Sequence, residues 1–196
     1  MEIVLHRINT VAALANIPSK YGCEIDIRTK GSELILHHEP YQNGDLLSDY
    51  LDNYQHGLLI LNTKEAGIEN DILTAVRKRG NINHFLLDVE FPYLYKAARL
   101  GEKSIAIRYS EDEPIELVKK YTDKVNWVWI DTISQLPLND AIVNELNGFN
   151  TCLVCPERWG RPQDILSYRS LMKALDFCPT AVMTNIKYVP LWEKEI

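Results

Sequence analysis

The chain has 196 residues, 46% hydrophobic and 24% charged, with a net charge of −6. That length and balance suit one globular domain over residues 1–196, with side chains enough for a sizeable core. The charge argues against a nucleic-acid partner, and no membrane-length apolar run or leader-like N-terminus is present, so a cytoplasmic protein without a transmembrane segment is expected.

Short β-rich runs alternate with helical patterns along the chain. The spacing predicts strands over residues 2–6, 23–28, 58–62, 85–89, 104–108, 127–131, 151–155 and 181–184. Helical periodicity predicts helices over 45–54, 68–79, 92–100, 114–121, 139–146 and 162–175. The 33–38 segment follows the Lys30-Gly31 turn and reads as a hairpin-like extension of the second strand. Arg77-Lys78-Arg79 sits before Gly80, where cations complement a helix C-terminus.

This order suggests a compact (β/α)8 TIM barrel or a doubly wound sheet. The barrel is favoured because polar residues recur at the C-terminal ends of successive strands: His6, Asp26, Asn62, Arg108, Asp131 and Asn185 among them. A doubly wound sheet would gather them at one crevice beside a glycine-rich turn, and no such turn is present.

Four cysteines give little material for a disulfide framework. Cys152 and Cys155 have C-x-x-C spacing, but on a strand positions three apart face opposite sides. Buried free thiols are the expected state.

The first forty residues carry the chemistry. His6-Arg7 closes the first apolar run, Glu24 and Asp26 lie on one face of the second strand, and His38-Glu39 ends the third run. Two carboxylates one pleat apart raise each other's pKa unless a cation intervenes. A Mg²⁺ or Ca²⁺ ion between Glu24 and Asp26 would explain the acids, because hard oxygen donors suit these ions. His6 and His38 would then move protons as the catalytic acid and base. The competing reading pairs the acids with Arg28, Lys64 or Arg7. Alternation turns His37 away from the site, and His56 and His84 fall in predicted loops. Trp159, just past the seventh strand, could wall a substrate pocket.

With these residues in order, the chain resembles the glycerophosphodiester phosphodiesterase family within the phospholipase C-like phosphodiesterases. The likeness rests on His6-Arg7, Asn9-Thr10, Glu24-Ile25-Asp26, Thr29-Lys30-Gly31 and His38-Glu39, and extends through Leu61-Asn62-Thr63-Lys64. It implies metal-dependent cleavage of a small-molecule glycerophosphodiester, with Arg7 and Lys64 holding phosphate charge. It also implies a third metal ligand at Asn62, where the family usually carries an acid. The family's glycine after His-Arg is Ile8 here, and its insertion after the second histidine is missing. The alternative is a degenerate barrel that binds a phosphorylated ligand without turnover. A third reading is a carbohydrate- or aldolase-type barrel enzyme using Lys64 or Glu90. Oligomeric state is not legible.

Overall fold

The computed structural model describes residues 1–194. They form two compact units, Val4–Lys96 and Met1–Ile3 with Ala97 onward.

The N-terminal unit holds the end of β1 (Glu2–Leu5), then α1 (Val11–Leu14), β2 (Gly22–Lys30), β3 (Glu33–Leu36), β4 (Asp45–Leu46), α2 (Leu47–Asp52), β5 (Leu59–Thr63), α3 (Glu69–Arg77) and β6 (His84–Leu87). Parallel pairing runs β1–β2–β5–β6 in chain order. The long β2 serves two partners on one edge. Gly22 and Cys23 pair with β1, whereas Ile27–Lys30 pair antiparallel with β3 beyond the point where β1 ends. Gly22 is required there, because a Cβ would stand 2.3 Å from the Leu58 carbonyl oxygen.

Local chemistry explains the helices. Thr10 caps α1, its Oγ1 accepting the Ala13 N–H at 3.0 Å. In α3 the buried side chains Glu69, Ile72, Leu73 and Val76 share one face, and Gly80 turns the chain after it at φ 96°.

Two expectations need correction in this unit. The helix predicted over 45–54 is only Leu47–Asp52, and Asp45–Leu46 is instead a strand paired with β3. Asp45 also accepts the Val11 N–H at 2.8 Å, so tertiary partners override its helical periodicity. His84 opens β6 rather than lying in a loop, with its Nδ1 2.7 Å from Ile82 O.

Helix α4 (Phe91–Arg99) starts in the N-terminal unit and ends in the C-terminal unit, which continues with β7 (Ala106–Tyr109), α5 (Ile115–Lys119), β8 (Trp127–Ile130), α6 (Asp140–Glu145), β9 (Asn150–Val154), α7 (Ile165–Ala174), β10 (Ala181–Thr184) and α8 (Val189–Glu193). The strands of the C-terminal unit pair in parallel as β7–β8–β9–β10, and Glu2 N–H donates to Thr180 O at 2.7 Å. A 3-10 turn over Pro156–Trp159 follows β9, ended by left-handed Gly160. All eight predicted parallel strands are present, within two residues of their expected bounds.

The cysteines are free thiols, with Cys23, Cys152 and Cys155 buried and Cys178 exposed. Burial pushes the Cys23 and Cys155 thiols up to about 11, leaving almost no thiolate at neutral pH. Iodoacetamide therefore labels only Cys178 in the native protein and all four cysteines after unfolding, as peptide mass mapping would read. Native labelling of Cys23 at the Cys178 rate would contradict this burial.

Candidate active site

The site begins where β1 ends. Arg7 adopts φ 56°, a left-handed turn that costs a non-glycine residue roughly 1–2 kcal/mol. The turn aims two successive amides at one residue of β2. Arg7 N–H donates to Glu24 Oε2 at 2.8 Å, and Ile8 N–H donates to the Glu24 carbonyl at 2.9 Å. His6 follows the same turn, its Nε2 3.9 Å from Glu24 Oε2.

Strand alternation on β2 puts Glu24 and Asp26 on one face, and both are buried (1% and 0% exposed). Asn9 grips Asp26 twice: its Nδ2 donates to Oδ2 at 2.8 Å, and its Oδ1 accepts the Asp26 N–H at 2.8 Å. The adjacent strand adds Asn62, register partner of Asp26, whose Nδ2 donates to Glu24 Oε1 at 2.8 Å. Beyond that strand, Lys64 Nζ lies 3.2 Å from Asp26 Oδ1, and Arg7 Nε lies 3.7 Å from Oδ2.

Charge and hydrogen bonding are left unbalanced here. Burial pushes the Glu24 carboxyl up to about 7, with Asp26 adding to the rise. The Asn62 and Arg7 hydrogen bonds and the Lys64 charge oppose it. Asn62 Oδ1 is buried without a hydrogen-bond partner, and Asp26 Oδ1, likewise buried, has only the Lys64 ammonium beside it. A buried acceptor without a donor carries a desolvation cost that a bound cation would remove. Two carboxylates and an amide oxygen on neighbouring strands thus fit a hard dication in donor type. Among the described residues no three His, Cys, Asp or Glu side chains gather to hold a metal.

His38 lies just past β3, and its Nδ1 is 2.6 Å from Glu39 Oε1. That imidazole holds the Glu39 carboxyl below the usual carboxylate range, and Arg7 and Arg28 draw it down further. Alternation fails for His37, because β3 stops at Leu36 and the chain turns. His37 Nδ1 is 2.9 Å from Glu39 O and 3.0 Å from Glu39 N, so His37 shapes the turn that carries Glu39.

The N-terminal unit therefore brings His6, Arg7, Glu24, Asp26, Asn62 and Lys64 into one linked set. His38 joins it through the backbone, as His37 N–H donates to Asp26 O at 3.0 Å. Trp159 belongs to the C-terminal unit. There its Nε1–H donates to buried Asp131 at 2.8 Å, and Arg108 donates to the other Asp131 oxygen at 2.7 Å. Its ring is 46% exposed. Sequence reasoning gave no role to Asn9 or Glu39, although both stand inside the motifs that carried the resemblance.

No family model matches the chain, and no curated protein does. Solved structures similar to it include the following two. One is a protein of Agrobacterium tumefaciens assigned as a glycerophosphoryl diester phosphodiesterase, with a TM-score of 0.64 at 9% identity over 94% of this chain and 93% of that one. The other is a glycerophosphoryl diester phosphodiesterase from Parabacteroides distasonis, with a TM-score of 0.63 at 11% identity over 96% of this chain and 84% of that one. Four parallel strands in chain order within each unit agree with these neighbours. The resemblance drawn from the N-terminal motifs and the likeness of structure agree: the chain has the (β/α)8 barrel fold of the glycerophosphoryl diester phosphodiesterases.

Proposed function

We propose that this protein is a metal-dependent phosphodiesterase acting on a small glycerophosphodiester-like molecule in the cytoplasm. The observation that carries the reading is the buried Glu24–Asp26 pair, set beside the unpartnered Asn62 Oδ1 and bordered by His6, Arg7 and Lys64. Glu24, Asp26 and Asn62 would hold a Mg²⁺- or Ca²⁺-like ion. When bound, that ion supplies positive charge to phosphate oxygens and acidifies a nearby hydroxyl or water.

The chain's own residues would do the rest. Arg7, 40% exposed at its side chain, offers a guanidinium fork to phosphate, and Lys64 offers a point charge. His38, with Nδ1 held by Glu39, presents Nε2 for proton transfer. His6 supplies the second imidazole, one histidine taking a proton from the nucleophile and the other giving one to the leaving alkoxide. No helix among the described residues is long and apolar enough to cross a membrane.

A second reading, phosphate binding without turnover, is favoured by one feature. Asn62 stands in the third ligand position and brings no charge. Hydrolysis of bis(4-nitrophenyl) phosphate and of a glycerophosphodiester, with Mg²⁺ or Ca²⁺ and with EDTA, separates the two. Turnover abolished by EDTA and restored by the dication is the expected result. Saturable binding of a phosphate monoester with no turnover in any metal would select the binding-only barrel.

A further inference from the structure

Arg28 is the third polar residue on the Glu24–Asp26 face of β2, and the catalytic scheme gives it no task. Its guanidinium is largely enclosed, 16% exposed, and it faces backbone rather than the open site. Nε donates to His38 O at 3.0 Å, and Nη1 donates to Lys64 O at 3.2 Å. Glu65 Oε1 lies 3.6 Å from Nη1. That carboxylate is itself fixed by the Thr29 N–H at 3.2 Å and the Thr29 hydroxyl at 2.6 Å. Both carbonyls that Arg28 binds lie just beyond strand ends, on His38 past β3 and on Lys64 past β5.

We propose that Arg28 is a positioning residue that sets the distance between the proton-transfer side chain of His38 and the phosphate-binding side chain of Lys64. The inference rests on the phosphodiesterase reading. One planar cation tied to both segments couples them, where two separate loops would move independently. The geometry of the fork is what the task demands. Guanidinium donors diverge in one plane and reach two carbonyls from a single χ arrangement, whereas an ammonium is a compact point charge on a flexible stem. Glu65, locked to Thr29, neutralises the enclosed cation and keeps it beside the two carbonyls. Catalysis tolerates little error of this kind, because misplacement by about 1 Å can cost on the order of 10²-fold.

The test compares Arg28→Ala and Arg28→Lys with wild type on bis(4-nitrophenyl) phosphate with Mg²⁺ or Ca²⁺. Both variants should lose about 10–100-fold in kcat/KM. Guanidinium chloride at tens of millimolar, far below denaturing concentration, should restore Arg28→Ala severalfold without raising its melting temperature. The same salt should leave wild type and Arg28→Lys unchanged. Activity of Arg28→Ala within threefold of wild type overturns the proposal, as does a loss that follows thermal stability and resists guanidinium.

A readout independent of turnover separates this inference from the reading beneath it. Imidazole ¹⁵N spectra of wild type should show His38 Nδ1 hydrogen-bonded to Glu39, and Arg28→Ala should weaken that signature while His56 and His84 keep theirs. If wild type hydrolyses no phosphodiester, the phosphodiesterase reading fails and the spectra decide the positioning role alone. An unchanged His38 resonance in Arg28→Ala then overturns it.

Discussion

Under the phosphodiesterase reading, replacing either His6 or His38 by alanine should lower turnover of a phosphodiester by about 10²–10⁴-fold, the usual worth of a positioned acid or base. The two losses have different structural settings. His38 pairs with Glu39 at 2.6 Å on a turn, whereas His6 stands 3.9 Å from the buried Glu24 carboxylate. Neither side chain belongs to the apolar core, and Glu24 keeps its Arg7 and Asn62 hydrogen bonds without His6. Melting temperatures of both variants should therefore stay close to wild type while kcat falls. His37→Ala is the informative companion. Its ring nitrogen holds the Glu39 backbone, so its loss should cost less than about tenfold, through the placing of Glu39. Steady-state kinetics beside thermal melts of the three variants checks this. Equal losses for His37→Ala and His38→Ala would show that His38 is not a proton-transfer group.

The Asn62→Asp variant should bind a dication at least about tenfold more tightly than wild type, because a third carboxylate would add charge to a hard-cation site. Without metal the same variant is less stable. It loses the amide donor to Glu24 Oε1 and sets a third acid beside a pair that burial already holds in tension. The lost hydrogen bond to a charged group accounts for about 1.5–3 kcal/mol. Thermal melts across a Mg²⁺ and Ca²⁺ series read both effects at once. The variant should start lower than wild type and rise more steeply with metal, since an ion that binds only the native state stabilises it by mass action. Melts of both proteins indifferent to either ion would show that Glu24 and Asp26 are ion-pair residues of Lys64 and Arg7.

Whether the chain turns over a substrate or only holds one depends on the balance at Asn62. An amide oxygen can coordinate a hard ion, but the Nδ2 side now serves Glu24. The remaining Oδ1 is buried and unpaired, on the register partner of Asp26, whose Oδ1 has the Lys64 ammonium beside it. Under the proposed reading that oxygen would be the third donor to the ion.

The amino-acid sequence by itself determined the strand and helix alternation, the hairpin after Lys30-Gly31 and the shared face of Glu24 and Asp26. These follow from local periodicity, which a chain expresses wherever it lies. The roles given to Arg7, Asn62 and Lys64 came instead from the resemblance of the motifs in order, His6-Arg7, Glu24, Asp26, His38 and Asn62-Thr63-Lys64, to one family. Only the tertiary structure decided how the acids are satisfied. Arg7 N–H reaches Glu24 across 17 positions and the Asn62 amide reaches it across 38, through a left-handed turn and a strand register that no local pattern specifies. Asp45 likewise left its predicted helix for a strand and an α1 amide. His37 took the Glu39 backbone because β3 ended one residue earlier. Periodicity holds within an element and lapses at its end. Glu24, Asp26 and Asn62 lie within strands, whereas His6, Arg7, His38 and Lys64 stand just past strand ends, where contacts distant in sequence set the geometry.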